Sequence, residues 1–293
     1  MYARLHSSPA STPFTNPIFD RPFALLMGPQ RTGTSWIDRY LRARGDVALP
    51  NGVKETFFFD RRYSRGIEFY KSHFTPAPRQ KLVMEVSTTS FDHPDAPKRV
   101  FENFGQNIRL LCPLRHPVTR SYSLYLHYKR YGMVTGTLQE ACIQNPQILT
   151  SSHYAIHIEK WIAQFGLNKI HFLFQEQMDM DLNYYVATLC DALHIPCILP
   201  ATETRTRFNS RAAAPLPGLA RAAHDSAQIL RRYKLYPLIN AAKKIGLKNF
   251  VFGMENQIEN TSIPADARDW LENQLSGQAG ALEEIIGPVS CWR

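Results

Sequence analysis

Residues 23–28 (FALLMG) form an apolar run too short for a helix and closed by glycine, with a helical pattern directly after it. Such a run reads as a buried strand. From Gly33 to about Arg44, apolar Trp36, Ile37, Tyr40 and Leu41 fall on one stripe of a helix. The alternation recurs along the chain. Leu82–Val86 (LVMEV), residues 108–114 (IRLLCPL) and Ile170–Phe174 (IHFLF) are further strand candidates. Helical patterns start at Pro117, which suits a first turn, and cover residues 153–165 and Leu182–Leu193. Apolar strands alternating with helices predict a three-layer α/β fold, a parallel sheet covered on both faces. Ligands in such folds bind beyond the carboxyl ends of the strands. The segments after the first and third strands are therefore the places to look for chemistry.

The 293 residues suit one large domain. Residues 1–22, rich in Ser, Pro and Thr, read as a flexible arm. Residues 23–293 read as a single domain, with a core over 23–195 and a helical extension over 196–293 whose patterns cover 219–233 and 265–286. Lys and Arg outnumber Asp and Glu by 34 to 25, which favours anionic partners. The positive charge is dispersed with no long basic run, and this argues against nucleic acid. Five cysteines, an odd number with no CxxC pair, exclude a disulfide framework or a zinc ribbon. The histidines form no HxH pair and no G-x-S-x-G turn occurs, so neither metal catalysis nor a serine triad is expected. No apolar stretch has the length of a signal core or a spanning helix. A cytoplasmic protein is expected, with peripheral membrane contact left open.

Gly28-Pro29-Gln30-Arg31-Thr32-Gly33-Thr34-Ser35 follows the first strand and opens a helix. Its spacing is that of a phosphate-binding loop, G-x-x-x-x-G-K-[ST], with Thr34 where the lysine belongs. Backbone N–H groups and the helix N-terminus favour an anion there. Thr34 and Ser35 add hydroxyl donors, and Arg31 adds charge. A nucleoside triphosphatase uses the missing lysine on its β- and γ-phosphates, so a ligand with a shorter 5′ anion chain fits better. The segment 114–123 (LRHPVTRSYS) follows the third strand. Arg115 offers bidentate donors to a phosphate and Ser123 a hydroxyl from the helix that Pro117 opens. Arg120 is read either as a ligand contact or as a surface charge.

These two segments resemble the signature motifs of sulfotransferases that use 3′-phosphoadenosine-5′-phosphosulfate (PAPS). Residues 31–36 (RTGTSW) are similar to the family's 5′-phosphosulfate loop, with Arg31 where lysine is usual. Arg115 and Ser123 match the Arg and Ser of its 3′-phosphate motif, L-R-[ND]-P-x-x-R-x-x-S, with His116 in place of Asn or Asp. The resemblance runs from about Phe23 to Leu193. It implies a fold with the topology of P-loop kinases, PAPS as donor and PAP as product. It also implies donor contacts from Gln30, Arg31, Thr32, Gly33, Thr34, Ser35, Trp36, Arg115 and Ser123. A late basic cluster, TRTRFNSR, suggests Arg211 as a further contact.

Sulfuryl transfer needs positioning, charge stabilisation and a base for the acceptor hydroxyl. Residues 54–60 (KETFFFD) resemble the K-E-x-x-F-F-D segment of the glycan-modifying and bacterial branch, which implies Glu55 as base and Lys54 near the transferring group. Glu85, near the end of LVMEV, is the second candidate, to orient the acceptor or share the base role. His93 is the third. The acceptor is expected to bear a hydroxyl, as in a carbohydrate, a lipid-linked sugar or a secondary metabolite. Two other readings stay open at this point. A small-molecule kinase would turn over ATP with magnesium, and a non-catalytic anion-binding protein would show no preference for a 3′-phosphate.

Overall fold

The computed structural model describes residues 18–201 and 262–292, together with residues 222, 223, 226 and 230. Five strands form one sheet in the order β2-β3-β1-β4-β5. They are β1 (Phe23–Leu26), β2 (Val47–Ala48), β3 (Leu82–Val86), β4 (Arg109–Leu114) and β5 (Ile170–Phe174). Every pairing is parallel. The four runs read from sequence are all strands, and β2, only two residues long, joins them at one edge.

Alternation along the strands feeds two separate cores. Phe23, Leu25, Val83, Leu110 and Cys112 face one side. Ala24, Leu26, Met84, Val86 and Leu111 face the other. The second face is covered by α1 (Thr34–Arg44) and α10 (Leu182–Leu193). The first is covered by α4 (Ala96–Phe104), α8 (Tyr154–Phe165) and, from the C-terminal part, α12 (Gln278–Ile286). Two short helices, α2 (Phe58–Arg61) and α3 (Ile67–Lys71), pack their aromatic residues into this same core. A third cluster sits beside the sheet. Its residues come from α5 (Pro117–Arg130), α6 (Leu138–Gln144), α7 (Gln147–Thr150) and α11 (Ala265–Gln274). The α9 helix (Gln175–Met180) follows β5 directly. The 265–286 pattern is thus two helices with a turn between them.

The anchored chain begins earlier than the arm read over 1–22. Phe19 stacks on Phe23 with centroids 5.5 Å apart and meets Phe74 edge-on at 5.0 Å, while Arg21 donates to Ala77 O at 2.8 Å. An aromatic ring packed on the core is removed from water, which holds the residues around it. The basic cluster with Arg211 and the 219–233 pattern lie outside the described residues, four isolated positions apart. All five cysteines are free thiols. Among the described residues no helix is long and apolar enough to cross a membrane.

The strand order sets the position of the site. From β1 the chain moves to one side of the sheet, and from β4 to the other. The crevice between their carboxyl ends is the topological switch point where open α/β sheets bind ligands. Both phosphate-type segments leave the sheet there.

Candidate active site

The first segment leaves β1 hard against β4. A Cβ on Gly28 would lie 2.4 Å from Pro113 O, so only glycine passes this point without displacing backbone. Arg31 (φ 74°) and Gly33 (φ 81°) both adopt the left-handed region. For an arginine this conformation stores strain, on the order of 1–3 kcal/mol. Buried Thr32 donates its hydroxyl to Pro29 O at 2.8 Å and ties the loop together. At the start of α1, Gly33 supplies no side-chain cap and the first turn holds no acidic residue. The first amides and the positive end of the helix dipole are left for an external anion.

The second segment is braced from three directions. Tyr154 donates to Arg115 O at 2.7 Å. Glu176 accepts from His116 N at 2.9 Å through Oε1, and from Trp292 Nε1 at 3.0 Å through Oε2. Burial holds the His116 imidazole below its ordinary pKa. Ser123, about two turns into α5, accepts from Arg31 Nε at 3.0 Å. The two motifs, 92 residues apart, therefore meet directly. Arg120, one turn earlier, is no surface charge. It is fully buried and donates to Ser152, Ser121 and Ile148 O.

Lys54 and Glu55 complete the arrangement. Lys54 Nζ donates to Thr34 Oγ1 at 3.0 Å and to Ser35 Oγ at 3.4 Å. The cation that position 34 lacks is thus delivered to the helix N-terminus from the next segment. The same ammonium lies 3.3 Å from Glu55 Oε1. Glu55 Oε2 accepts from both Thr88 N (3.1 Å) and Thr88 Oγ1 (2.8 Å). The carboxylate is thereby fixed between a cation and two donors, beside the hydroxyls of the loop. Phe57 turns the chain at φ 56°, under the guanidinium groups of Arg61 and Arg62 at 5.0 and 5.7 Å. Phe58 and Phe59 enter the core.

Glu85 lies behind this segment. It is 0% exposed on the same sheet face as Val83, and Oε1 accepts from Thr56 N and Thr56 Oγ1, both at 2.7 Å. Oε2 has no hydrogen bond of good geometry. The buried Tyr70 hydroxyl, equally without one, is the group it interacts with. Burial raises the Glu85 carboxyl to about 7 against the lowering effect of the Thr56 bonds, while burial and the nearby Glu85 carboxylate push the Tyr70 phenol upward. Glu85 therefore touches the residue after Glu55 and not the loop. His93 sits in the turn before α4, its Nδ1 accepting from Asp95 N at 3.2 Å. Trp36 packs into the core, stacked on Tyr40 at 5.3 Å and edge-on to Tyr185 at 6.2 Å. Gln30 lines a narrow pocket with Pro29, Thr88, Thr89 and Asp92.

Of the residues named from the motifs, Arg31 meets Ser123, and Lys54 meets Thr34, Ser35 and Glu55, while Arg115 follows β4 directly. Thr88, Tyr154, Glu176 and Trp292 were missed. Each acts from a distant part of the chain and carries no local signal. Among the described residues, no three His, Cys, Asp or Glu side chains gather as metal ligands. The donor set is instead one of amides, hydroxyls and fixed cations, which fits a nucleotide bearing anionic groups at both its 5′ and 3′ positions.

Sequence and fold comparisons identify the class. Residues 21–211 match the Sulfotransferase domain family, and the chain belongs to that family. It is 24% identical over 192 residues to a Caenorhabditis elegans bifunctional heparan sulfate N-deacetylase/N-sulfotransferase, covering 60% of this chain and 22% of that protein. The Drosophila melanogaster counterpart is 27% identical over 229 residues, with 62% and 22% covered. The chain thus spans about a fifth of the length of these curated relatives. A sulfotransferase structure from Alicyclobacillus acidocaldarius superposes with a TM-score of 0.65 at 18% identity, over 93% of this chain and 99% of that one. By family and fold the chain is a sulfotransferase-type domain.

Proposed function

We propose that this chain transfers a sulfuryl group from PAPS to a hydroxyl of a small-molecule or glycan acceptor, with Glu55 as base. The observation that carries this reading is the Arg31–Ser123 hydrogen bond at 3.0 Å. It joins the loop suited to a 5′ anion to the helix suited to a 3′-phosphate. Bound there, PAPS would supply an activated sulfuryl group whose S–O bond to the 5′-phosphate breaks as the acceptor oxygen bonds to sulfur. Arg115 and Ser123 hold the 3′-phosphate. The first amides of α1, with Thr34, Ser35 and Arg31, hold the 5′ end. Lys54 Nζ, on the loop hydroxyls and beside Glu55, stabilises negative charge where it develops. Glu55 takes the acceptor proton at Oε1, while Thr88 keeps the carboxylate aimed through Oε2. Glu85 supports that segment through Thr56.

The glycan named in the curated relatives, heparan sulfate, makes a sugar acceptor a natural choice. Incubated with PAPS and a panel of hydroxyl acceptors, the chain is expected to release PAP in step with sulfated product, with or without EDTA. Release of ADP from ATP only with magnesium, and no PAP from PAPS, would refute the proposal.

A further inference from the structure

Two thiols meet at the end of α1 that lies away from the phosphate loop. Cys190 belongs to the last turn of α10 and is 1% exposed. Cys197, just beyond Pro196, is exposed. The two are in side-chain hydrogen-bond contact. The chain folds back here onto the helix it has just left. His194 makes the turn at φ 49°, and Ile195 N donates to Cys190 O at 3.0 Å.

The residues on either side of Cys197 are tied to α1. Arg44 Nη1 donates to Pro196 O at 2.8 Å, and the Tyr40 hydroxyl donates to Ile198 O at 2.6 Å. The same two groups reach the inner thiol. Cys190 Sγ lies 3.3 Å from Arg44 Nη1 and 3.4 Å from the Tyr40 hydroxyl. Asp46 holds the rest of the guanidinium, accepting from Arg44 Nε at 2.9 Å and Nη2 at 2.6 Å. Cys197 is thus fixed through both its neighbours beside a thiol that is itself locked in the core. Desolvation and the adjacent Cys190 thiol raise the Cys197 pKa, and Arg44 opposes them. The spacing of the pair crosses a helix cap and a proline, so no local sequence pattern announces it.

We propose that Cys190 and Cys197 form a reversible disulfide, a redox latch that fastens α10 to the segment 195–198, and that its reactant is a low-molecular-weight disulfide such as oxidised glutathione. The exposed Cys197 thiolate attacks one glutathione sulfur, which gives a mixed disulfide and releases one glutathione. Cys190 Sγ then attacks the Cys197 sulfur, and the second glutathione leaves. Each departing thiolate takes up a proton equivalent to the one a protein thiol gave to solvent. Two protein thiols are oxidised and one glutathione disulfide is reduced to two thiols, so atoms and electrons balance. Contact between the thiols makes the second step intramolecular and favours it over a lasting mixed disulfide. The latch does not depend on the sulfotransferase reading.

The test treats the full native chain with oxidised glutathione between about pH 7 and 9, quenches it by alkylation and maps the peptides by mass. A Cys190–Cys197 linkage is expected, with two glutathiones released per bond and full reversal by dithiothreitol. Its rate is expected to rise about ten-fold per pH unit, because a thiol of raised pKa attacks only as its thiolate. Cys190→Ser keeps an oxygen for Arg44 and Tyr40. In that variant the Cys197 mixed disulfide is expected to outlive the wild-type one by at least about ten-fold. Cys197→Ser is expected to leave the buried Cys190 unmodified. The oxidised wild type is expected to melt about 3–6 °C above the reduced chain. Mapping of the wild type decides the pairing even if a variant fails to fold. A lasting mixed disulfide on wild-type Cys197, pairing of Cys197 with Cys291 or with a second chain, no reaction at Cys197 at any pH, or an oxidised chain that melts below the reduced one would overturn the latch.

Discussion

Glu55→Gln is expected to lower kcat for sulfuryl transfer by about 10²–10⁴-fold, the range for loss of a positioned general base. The substitution removes a proton acceptor and the ion pair with Lys54. An amide oxygen at the Oε2 position still accepts from Thr88 N and Oγ1. Lys54 keeps its bonds to Thr34 and Ser35. PAP binding and melting temperature should therefore stay close to wild type, and the loss should fall on kcat. Single-turnover kinetics with saturating PAPS measure this. A variant within about three-fold of wild type would remove Glu55 from the base role. The same experiment on His93→Ala is expected to show little change, since His93 is engaged in its own turn with Asp95 N.

Glu85→Gln is expected to change how stability depends on pH. The folded carboxyl titrates at about 7, against an ordinary 4.5, because burial opposes its charge. Between those values the folded chain retains a proton that the unfolded chain has released. The stabilising contribution of the neutral form is full below the unfolded value and is lost as pH rises through about 7. A shift of this size corresponds to about 3 kcal/mol. Glutamine keeps an oxygen for Thr56 N and Oγ1 and cannot ionise. Relative to wild type, the variant should therefore gain about 2–3 kcal/mol between pH 5 and pH 8. Urea midpoints at the two pH values read the difference directly. Parallel behaviour of the two proteins would mean that Glu85 is not the buried titrating group.

Much of this architecture is legible in sequence, for a physical reason. A strand buried on both faces must be largely apolar, so FALLMG, LVMEV and IRLLCPL stand out, and IHFLF, at the sheet edge with His171 exposed, keeps enough apolar residues to be read as well. Val47–Ala48 does not, because two residues carry no period. The α4 helix had usable punctuation in Asp95, Pro97 and Gly105, with Val100 and Phe104 on one face, and the Thr137–Glu140 capping box marked α6. Both lie in polar stretches where the apolar signal is weak. LVMEV places Glu85 in a strand without saying which face it takes. Its alignment with Val83, behind Thr56, depends on how the 54–60 segment folds back over the sheet.

The site divides in the same way. Arg31, Lys54, Glu55, Arg115 and Ser123 belong to short motifs, and the roles proposed for them are those the family resemblance implies. Thr88 and Glu176 gain their roles only by meeting Glu55 across 33 residues and Trp292 across 116. No local pattern encodes such contacts. The delivery of Lys54 to Thr34, which restores a cation to a loop that lacks its lysine, is also a property of the fold and not of either motif alone.

The central claim is that the crevice between β1 and β4 holds a nucleotide by its 5′ and 3′ anions together. Thermal stabilisation by PAP, compared with adenosine 5′-phosphate and ATP–magnesium, tests it most directly, with Arg115→Ala and Ser123→Ala run alongside. Ligand binding to the folded state raises the melting temperature by mass action. The account predicts a large shift with PAP, a small one with the 5′-phosphate, and loss of the PAP advantage in both variants. Equal shifts with PAP and the 5′-phosphate, or a PAP shift that survives Arg115→Ala and Ser123→Ala, would contradict it.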